Sequence, residues 1–208
     1  MQEKKKYRGK HQPKGQIILH EDRDILVVDK APGLLTMGTN REKVKTVYYR
    51  LMDYVRKGNP KSRERVYIVH RLDREVSGIL VFARSVAAKN ALQAQWERVE
   101  KHYLALVHGV PTESEGTFSS YLVENGVHRV HSTTDPKRGK LSHTAYKVLG
   151  HSQGVSLLEI NLLTGRMGQW GHPLEGLLST GTTSLVAVRI FTASLCSGPL
   201  RSSWNAHP

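Results

Sequence analysis

Residues 69–83 read Val-His-Arg-Leu-Asp-Arg-Glu-Val-Ser-Gly-Ile-Leu-Val-Phe-Ala, and this is the most informative stretch of the chain. A short apolar strand ends in a base, a cation and a carboxylate, and a second apolar run begins at Ile79. Because Arg71 and Arg74 flank Asp73, we expect its carboxylate to be ionised, and it could then act as a nucleophile or a base. Taken alone, such a loop is more typical of a turn whose aspartate is satisfied by backbone donors.

Several other kinds of site are disfavoured around this loop. His70 and Asp73 are spaced three residues apart without a cysteine, which matches no metal motif, so we expect no metal. No second acid stands out as the partner in a glycosidase pair. Cys196 is the only cysteine, which excludes an intrachain disulfide and favours a reducing compartment.

The composition favours a polyanionic partner. The chain has 208 residues, a formal net charge of +13 and a pI of about 10.0, and its mean hydropathy is -0.42. Such an excess of basic residues usually indicates nucleic acid, although a solvated basic surface is the alternative. The sequence contains no apolar run long enough to span a membrane and no apolar segment at its start, so we expect a cytoplasmic protein without a membrane partner.

The chain divides into three parts. Residues 1–16 hold six Lys or Arg and one Glu, which predicts a mobile basic arm. Residues 17–176 alternate short strands with few helices; one helix is expected from Thr46 to Lys57, and another begins after Ser85. We therefore predict an α+β fold with a mixed, mostly antiparallel central sheet.

Three stretches follow one another along the chain: residues 69–83, residues 101–109 (KHYLALVHG) and residues 162–166 (LLTGR). Together they make the chain resemble the RluA-type pseudouridine synthases, because they match, in that order, almost all of the family's signature, its second motif and the start of its third. The opening strands at residues 18–22 and 25–35 also resemble the family. The resemblance covers about residues 17–166, and it implies the pseudouridine synthase catalytic fold over residues 17–176.

The resemblance also implies roles for individual residues. Asp73 is expected to be the catalytic aspartate that attacks or deprotonates the ribose of a uridine that has left its stack. Tyr103 is expected to stack on the uracil, and Arg71 and Arg166 to bind the substrate. The alternatives are an ordinary strand aromatic for Tyr103 and a salt bridge to Asp73 for Arg71. The reaction is an isomerisation that needs no cofactor; the implied partner is ribosomal or transfer RNA, and we expect a monomer.

The resemblance breaks after Arg166. The family continues with a segment similar to Lys-Asn-Gln-Ile-Arg-Val-His, whose arginine is expected to pair with the catalytic aspartate, and that segment is absent here. Residues 167–208 contain only three charged residues, Glu175, Arg189 and Arg201. Read in a shifted frame, codons for residues 179–188 can encode Tyr-Gly-Asp-Asp-Lys-Phe-Gly-Gly-Arg, as the family would place there. We hypothesise that residues 177–208 are an aberrant, frame-shifted tail, and we expect it to be poorly packed.

Three functional hypotheses follow from the sequence. The first is an RNA pseudouridine synthase that isomerises a specific uridine in structured RNA, contributing to rRNA or tRNA processing. The second is a catalytically impaired homologue that only binds RNA. The third is a basic RNA-binding module without enzymatic ancestry, which the combination of the Asp73 loop and Tyr103 disfavours.

Overall fold

The computed structural model describes residues 13, 16–38, 42–99, 101–124, 130–133, 135–164 and 185–192. The chain divides into two compact units, the first made of Met1–Trp96 with Ala187–Arg189 and the second of Glu97–Val186 with Ile190–Pro208. Within the described ranges, no helix has the length and apolar character required to cross a membrane.

The first unit is an antiparallel sheet with two helices. Its elements are β1 (Gln16–Glu21), β2 (Ile25–Lys30), α1 (Val47–Arg56), β3 (Tyr67–Ile68), β4 (Ser77–Ala83) and α2 (Val86–Gln95). β2 pairs with β1 on one side and with β4 on the other, and β3 pairs with β4. The apolar runs of β2 and β4 are register partners, as at Val28 and Leu80, and both of these side chains are fully buried. Their burial supplies the core of this unit.

Both predicted helices are confirmed. In α1, Val47, Leu51 and Val55 recur at helical spacing and are all buried, and the Thr46 hydroxyl caps the first turn by accepting from the amide of Tyr49. Helix α2 begins after Ser85 as predicted, and a short 3-10 helix, Trp96–Arg98, follows it. The two helices are therefore specified by local sequence at their first turns.

Five antiparallel strands lie wholly within the described part of the second unit. They are β5 (Lys101–His108), β6 (Glu115–Glu124), β7 (Val130–Thr133), β8 (Lys140–Ser152) and β9 (Val155–Leu162). The pairing order is β5-β9-β8-β6-β7. The β8–β9 hairpin turns through Gln153 and Gly154, whose φ angles of 50° and 75° are those of a type I′ turn. Mostly antiparallel strands with few helices confirm the α+β class.

One element lies within the tail that we expected to be poorly packed. Residues Leu185–Thr192 form a regular strand, β10. Regular structure is therefore present in part of residues 177–208, because the run Leu-Val-Ala-Val-Arg-Ile-Phe-Thr has the β-branched and aromatic content of a strand. The expectation that this tail is poorly packed stays a prediction. The basic arm at residues 1–16 and the segment at 165–184 fall almost entirely outside the described residues.

Candidate active site

Asp73 lies in a loop of the first unit that joins β3 to β4. Within this loop Val69, Leu72 and Val76 are at most 6% exposed, whereas Asp73 itself is exposed. The amide of Val76 donates to the carbonyl of Asp73 over 3.3 Å, which closes a turn around the carboxylate. Buried apolar side chains therefore fix both sides of the loop and leave Asp73 accessible to a ligand.

Thr36 fixes the residue directly before Asp73. Its hydroxyl accepts a hydrogen bond from the amide of Leu72 (3.0 Å) and donates one to the carbonyl of the same residue (2.7 Å). Thr36 is 3% exposed, so both bonds lie in a dry environment where an unpaired backbone group would be costly. One threonine thus satisfies both backbone groups of Leu72 and holds the loop in place.

Lys30 fixes the other side of the loop from within the core. Its side chain is fully buried, and its ammonium donates to the carbonyls of Ala31 (3.1 Å), Leu34 (2.9 Å) and Arg74 (3.1 Å). A second link between the same segments is the bond from the amide of Gly33 to the carbonyl of Arg74 (2.8 Å). Burial lowers the pKa of Lys30 to about 8, and the negative charges of Glu75 and Asp73 oppose that change.

His70 connects the loop to β4 and to the end of α2. Its Nε2 accepts a hydrogen bond from the amide of Val81 (3.1 Å), and its ring stacks on Trp96 with centroids 4.3 Å apart. The side-chain amide of Gln93 donates to the carbonyl of Val69 (3.1 Å) from the same helix. An imidazole held in this way supports the loop.

The pKa of Asp73 is set by burial as well as by its charged neighbours. Burial raises the pKa of Asp73 above its ordinary value of 3.8; the positive charge of Arg71 and, more weakly, that of Lys30 oppose this, and the negative charge of Glu75 adds to it. The carboxylate is open to solvent on one side, but protein surrounds it elsewhere and disfavours the charged form. The charge of Arg71 therefore lowers the pKa of Asp73 by less than burial raises it. A raised pKa is common among catalytic carboxylates.

The two arginines of the loop have different surroundings. Arg74 pairs with Glu42, with 2.9 Å between Nη2 and Oε2. Arg71 is exposed, and its Nη1 lies 3.6 Å from the sulfur of Met37. Arg71 and Asp73 thus share one exposed loop, whereas Arg74 is engaged in holding a neighbouring segment.

The other expected site residues lie elsewhere in the chain. Tyr103 is on β5 in the second unit, where it is 6% exposed and has Ile160 as its register partner. It shares a buried face with Ala105 and Val107, as the alternation of the strand predicted. Arg166 lies outside the described residues. Within the described part of the chain, no three His, Cys, Asp or Glu side chains are arranged to hold a metal ion.

Sequence reasoning missed Lys30 and Thr36 as parts of this site. Lys30 ends an apolar strand and precedes Ala31-Pro32-Gly33, so it resembled an ordinary solvated charge at a strand end. Its carbonyl partners come from three different positions that meet only in the folded unit. Thr36 carried no local signal, because its partner Leu72 is 36 residues away.

Known proteins resemble this chain over most of its length. The family model for RNA pseudouridylate synthase matches residues 24–169. Ribosomal large subunit pseudouridine synthase D of Nitrosomonas europaea is 34% identical over 178 residues, which cover 80% of this chain and 50% of the relative. Dual-specificity RNA pseudouridine synthase RluA of Vibrio cholerae is 28% identical over 201 residues, covering 90% of this chain and 79% of the relative.

A solved structure agrees at the level of the fold. Human RNA Pseudouridylate Synthase Domain Containing 1 superposes with a TM-score of 0.66 at 24% identity, covering 85% of this chain and 76% of that one. The chain spans about half the length of several curated relatives that it matches. The matched model covers well over half of the chain and includes the Asp73 loop and β5. The chain therefore belongs to the RNA pseudouridylate synthase family and is of RluA type.

Proposed function

We propose that this chain is an RNA pseudouridine synthase that isomerises a specific uridine in structured RNA, with Asp73 as the catalytic residue. The observation that supports the proposal most strongly is the construction of the Asp73 loop. A solvent-accessible carboxylate lies between residues fixed by Thr36 and Lys30, and burial of its surroundings raises its pKa. Fixing a reactive group in advance is what efficient catalysis requires.

The chemistry suits a single carboxylate. In one route Asp73 attacks C1′ of the ribose, the C1′–N1 bond breaks, and uracil leaves with the electron pair. After the uracil turns, C5 bonds to C1′ in place of the aspartate, and the proton on C5 is lost. In the other route Asp73 removes the proton on C2′ of the ribose, and the electron pair of that bond forms a C1′–C2′ double bond as the C1′–N1 bond breaks. After the uracil turns, C5 bonds to C1′, C2′ regains a proton and C5 loses one. Both routes need Asp73 in its ionised form, and in both we assign Tyr103 to stacking on the uracil.

The substrate that we propose is ribosomal or transfer RNA, whose negative charge is complementary to the positive charge of the chain. The net charge of +13 favours a polyanion. Arg71 is exposed beside Asp73 and is assigned to holding the RNA once the target base has left its stack. Arg166 is assigned to substrate binding through its motif alone. We also propose a cytoplasmic monomer that needs neither a metal nor a cofactor.

A second candidate is a catalytically impaired homologue that binds RNA without modifying it. The observation in its favour is the missing Gln-Ile-Arg segment after Arg166, which removes the arginine expected beside Asp73. The same break underlies our proposal that the catalytic domain is truncated at residue 176 and followed by a frame-shifted tail. Sequencing the gene tests the proposed frame shift. We expect the alternative reading frame to encode a peptide that resembles the family's sequence after residue 176, and the absence of such a peptide would refute the frame shift.

One assay separates the two candidates. The protein is incubated with RNA that carries tritium at uridine C5, and release of tritium to water is measured. An active synthase releases tritium, and Asp73→Ala abolishes the release. Asp53→Asn, at an exposed carboxylate on α1, is a matched control that should release tritium normally. Binding of the RNA by the unaltered chain without release would support the impaired homologue.

A further inference from the structure

A cavity in the first unit has no role in the function proposed above. Its volume is about 470 Å³, within the range of roughly 300–1,000 Å³ that is typical of small-molecule sites. Its wall includes three tyrosines, two lysines and a methionine: Tyr48, Tyr49, Tyr67, Lys43, Lys89 and Met37. They come from the segment before α1, from the first turn of α1, from β3 and from α2. Neither Asp73 nor Arg71 is among the residues that line it.

The chemistry of this wall is that of a nucleotide site. Aromatic rings stack on bases of any sequence, and lysine ammonium groups pair with phosphates. Tyr49 is 49% exposed and Met37 is 40% exposed, so both can be reached by a ligand. No Asp or Glu is among the lining residues of the described chain, and the ammonium of Lys89 forms no salt bridge there. The cavity is therefore complementary to a flat, anionic ligand.

The cavity is formed before any ligand arrives. The amide of Tyr48 donates to the carbonyl of Thr36 (3.0 Å), which ties the segment in front of the cavity to α1. Gly38 allows the same segment to fold back closely, since a Cβ there would lie 3.1 Å from the Cα of Lys43 and 3.2 Å from the carbonyl oxygen of Glu42. A pre-formed wall avoids the cost of ordering the site when a ligand binds.

The cavity is also connected to the Asp73 loop. Met37, in its wall, contacts the guanidinium of Arg71 at 3.6 Å. Thr36, the residue before Met37, holds both backbone groups of Leu72. A nucleotide bound in the cavity therefore lies beside the loop that carries the candidate catalytic residue.

We propose that this cavity binds a second nucleotide of the RNA, with its base on the tyrosines and its phosphate on Lys43 or Lys89. The inference rests on the proposed function, because it makes the cavity a subsite for a nucleotide near the modified uridine. A protein segment is the other conceivable occupant, but two lysines without an acidic neighbour in the wall, in a chain of charge +13, favour RNA.

Photocrosslinking tests occupancy directly. The full chain is irradiated with a random-sequence single-stranded RNA that contains 5-bromouridine, and the crosslinked peptides are identified by mass spectrometry. The proposal expects crosslinks at Tyr48, Tyr49 or Tyr67. Crosslinks confined to other parts of the chain, or none, would overturn it.

Binding of the same RNA tests the chemistry. Tyr49→Leu should weaken binding by about 5- to 150-fold, the usual loss for one stacked base, whereas Tyr49→Phe should bind as the unaltered chain does. Lys89→Ala should lower the slope of log affinity against log salt concentration by about 0.7, the effect of one lost phosphate contact. Lys147→Ala is the matched control: this lysine is exposed, and its register partners are Glu115 and Glu159.

The outcomes separate the subsite from the proposed function. If the chain releases tritium but Tyr49→Leu and Lys89→Ala bind RNA as Lys147→Ala does, the subsite is wrong and the synthase stands. If the chain releases no tritium but Tyr49 crosslinks and Tyr49→Leu weakens binding, the subsite stands without the activity.

Discussion

Replacing Lys30 by methionine should change how the stability of the protein depends on pH. The ammonium of Lys30 is fully buried and is held by the carbonyls of Ala31, Leu34 and Arg74. Burial lowers its pKa from 10.5 to about 8. The folded protein thus releases this proton at a lower pH than the unfolded chain does.

The sign and size of the effect follow from the two pKa values. Below pH 8 Lys30 is charged in both states, and the cost of burying its charge is fully present. As the pH rises from about 8 to 10.5 the folded state is neutral at Lys30 while the unfolded chain remains charged, so the cost disappears. Because one unit of pKa corresponds to about 1.36 kcal/mol, the protein should gain about 3 kcal/mol from this residue over that interval.

Urea unfolding of the unaltered chain and of Lys30→Met at pH 7 and at pH 10.5 measures this gain. Other lysines and tyrosines also titrate, but they contribute equally to both proteins and cancel in the difference. The difference in free energy of unfolding should move by about 3 kcal/mol in favour of the unaltered chain at the higher pH. Lys147→Met, at an exposed lysine, should show no such change. If the difference in the free energy of unfolding stays constant with pH, burial does not lower the pKa of Lys30.

The other residues that hold the loop allow sharper tests. Thr36→Val leaves two buried backbone groups without partners and should lower the free energy of unfolding by about 2 kcal/mol, whereas Thr36→Ser should retain most of it in the same urea titration. His70→Ala removes the acceptor of the Val81 amide and should cost about 1–3 kcal/mol, while His151→Ala, at an exposed position, should cost almost nothing. Asp73→Asn should unfold at a higher temperature than the unaltered chain at neutral pH, because a carboxyl with a raised pKa destabilises the fold once it is ionised. This difference in unfolding temperature should vanish below pH 3.8, where the carboxyl is protonated in both the folded and the unfolded chain. A difference that does not change with pH would contradict the raised pKa of Asp73.

The two helices and strand β5 could be predicted because the sequence patterns that specify them are local. Val47, Leu51 and Val55 recur at helical spacing, and Ser85 is a standard N-cap. The buried face of β5 followed from strict alternation around Tyr103. Each of these features depends on residues within a few positions of one another, where spacing alone determines which side chains share a face.

The parts that could not be predicted depend on distant contacts. The burial of Lys30 could not be predicted because its ammonium donates to the carbonyl of Arg74, which is 44 residues away in the sequence. The raised pKa of Asp73 could not be predicted, because the flanking charges are visible in the sequence whereas the protein that buries the carboxyl is not. Strand β10 was missed because the break in family resemblance outweighed the strand-like run at Leu185–Thr192.

If Asp73 performs the isomerisation, its replacement should slow the chemical step when binding is saturated, and a single-turnover rate constant measures that step. RNA with tritium at uridine C5 is mixed with excess protein, so that binding is saturated, and the rate constant of tritium release is compared for the unaltered chain and Asp73→Asn. Filter binding establishes equal occupancy of the RNA. We expect Asp73→Asn to bind the RNA normally and to release tritium at least about 100-fold more slowly. Equal rates for the two proteins at equal occupancy would contradict the assignment of Asp73.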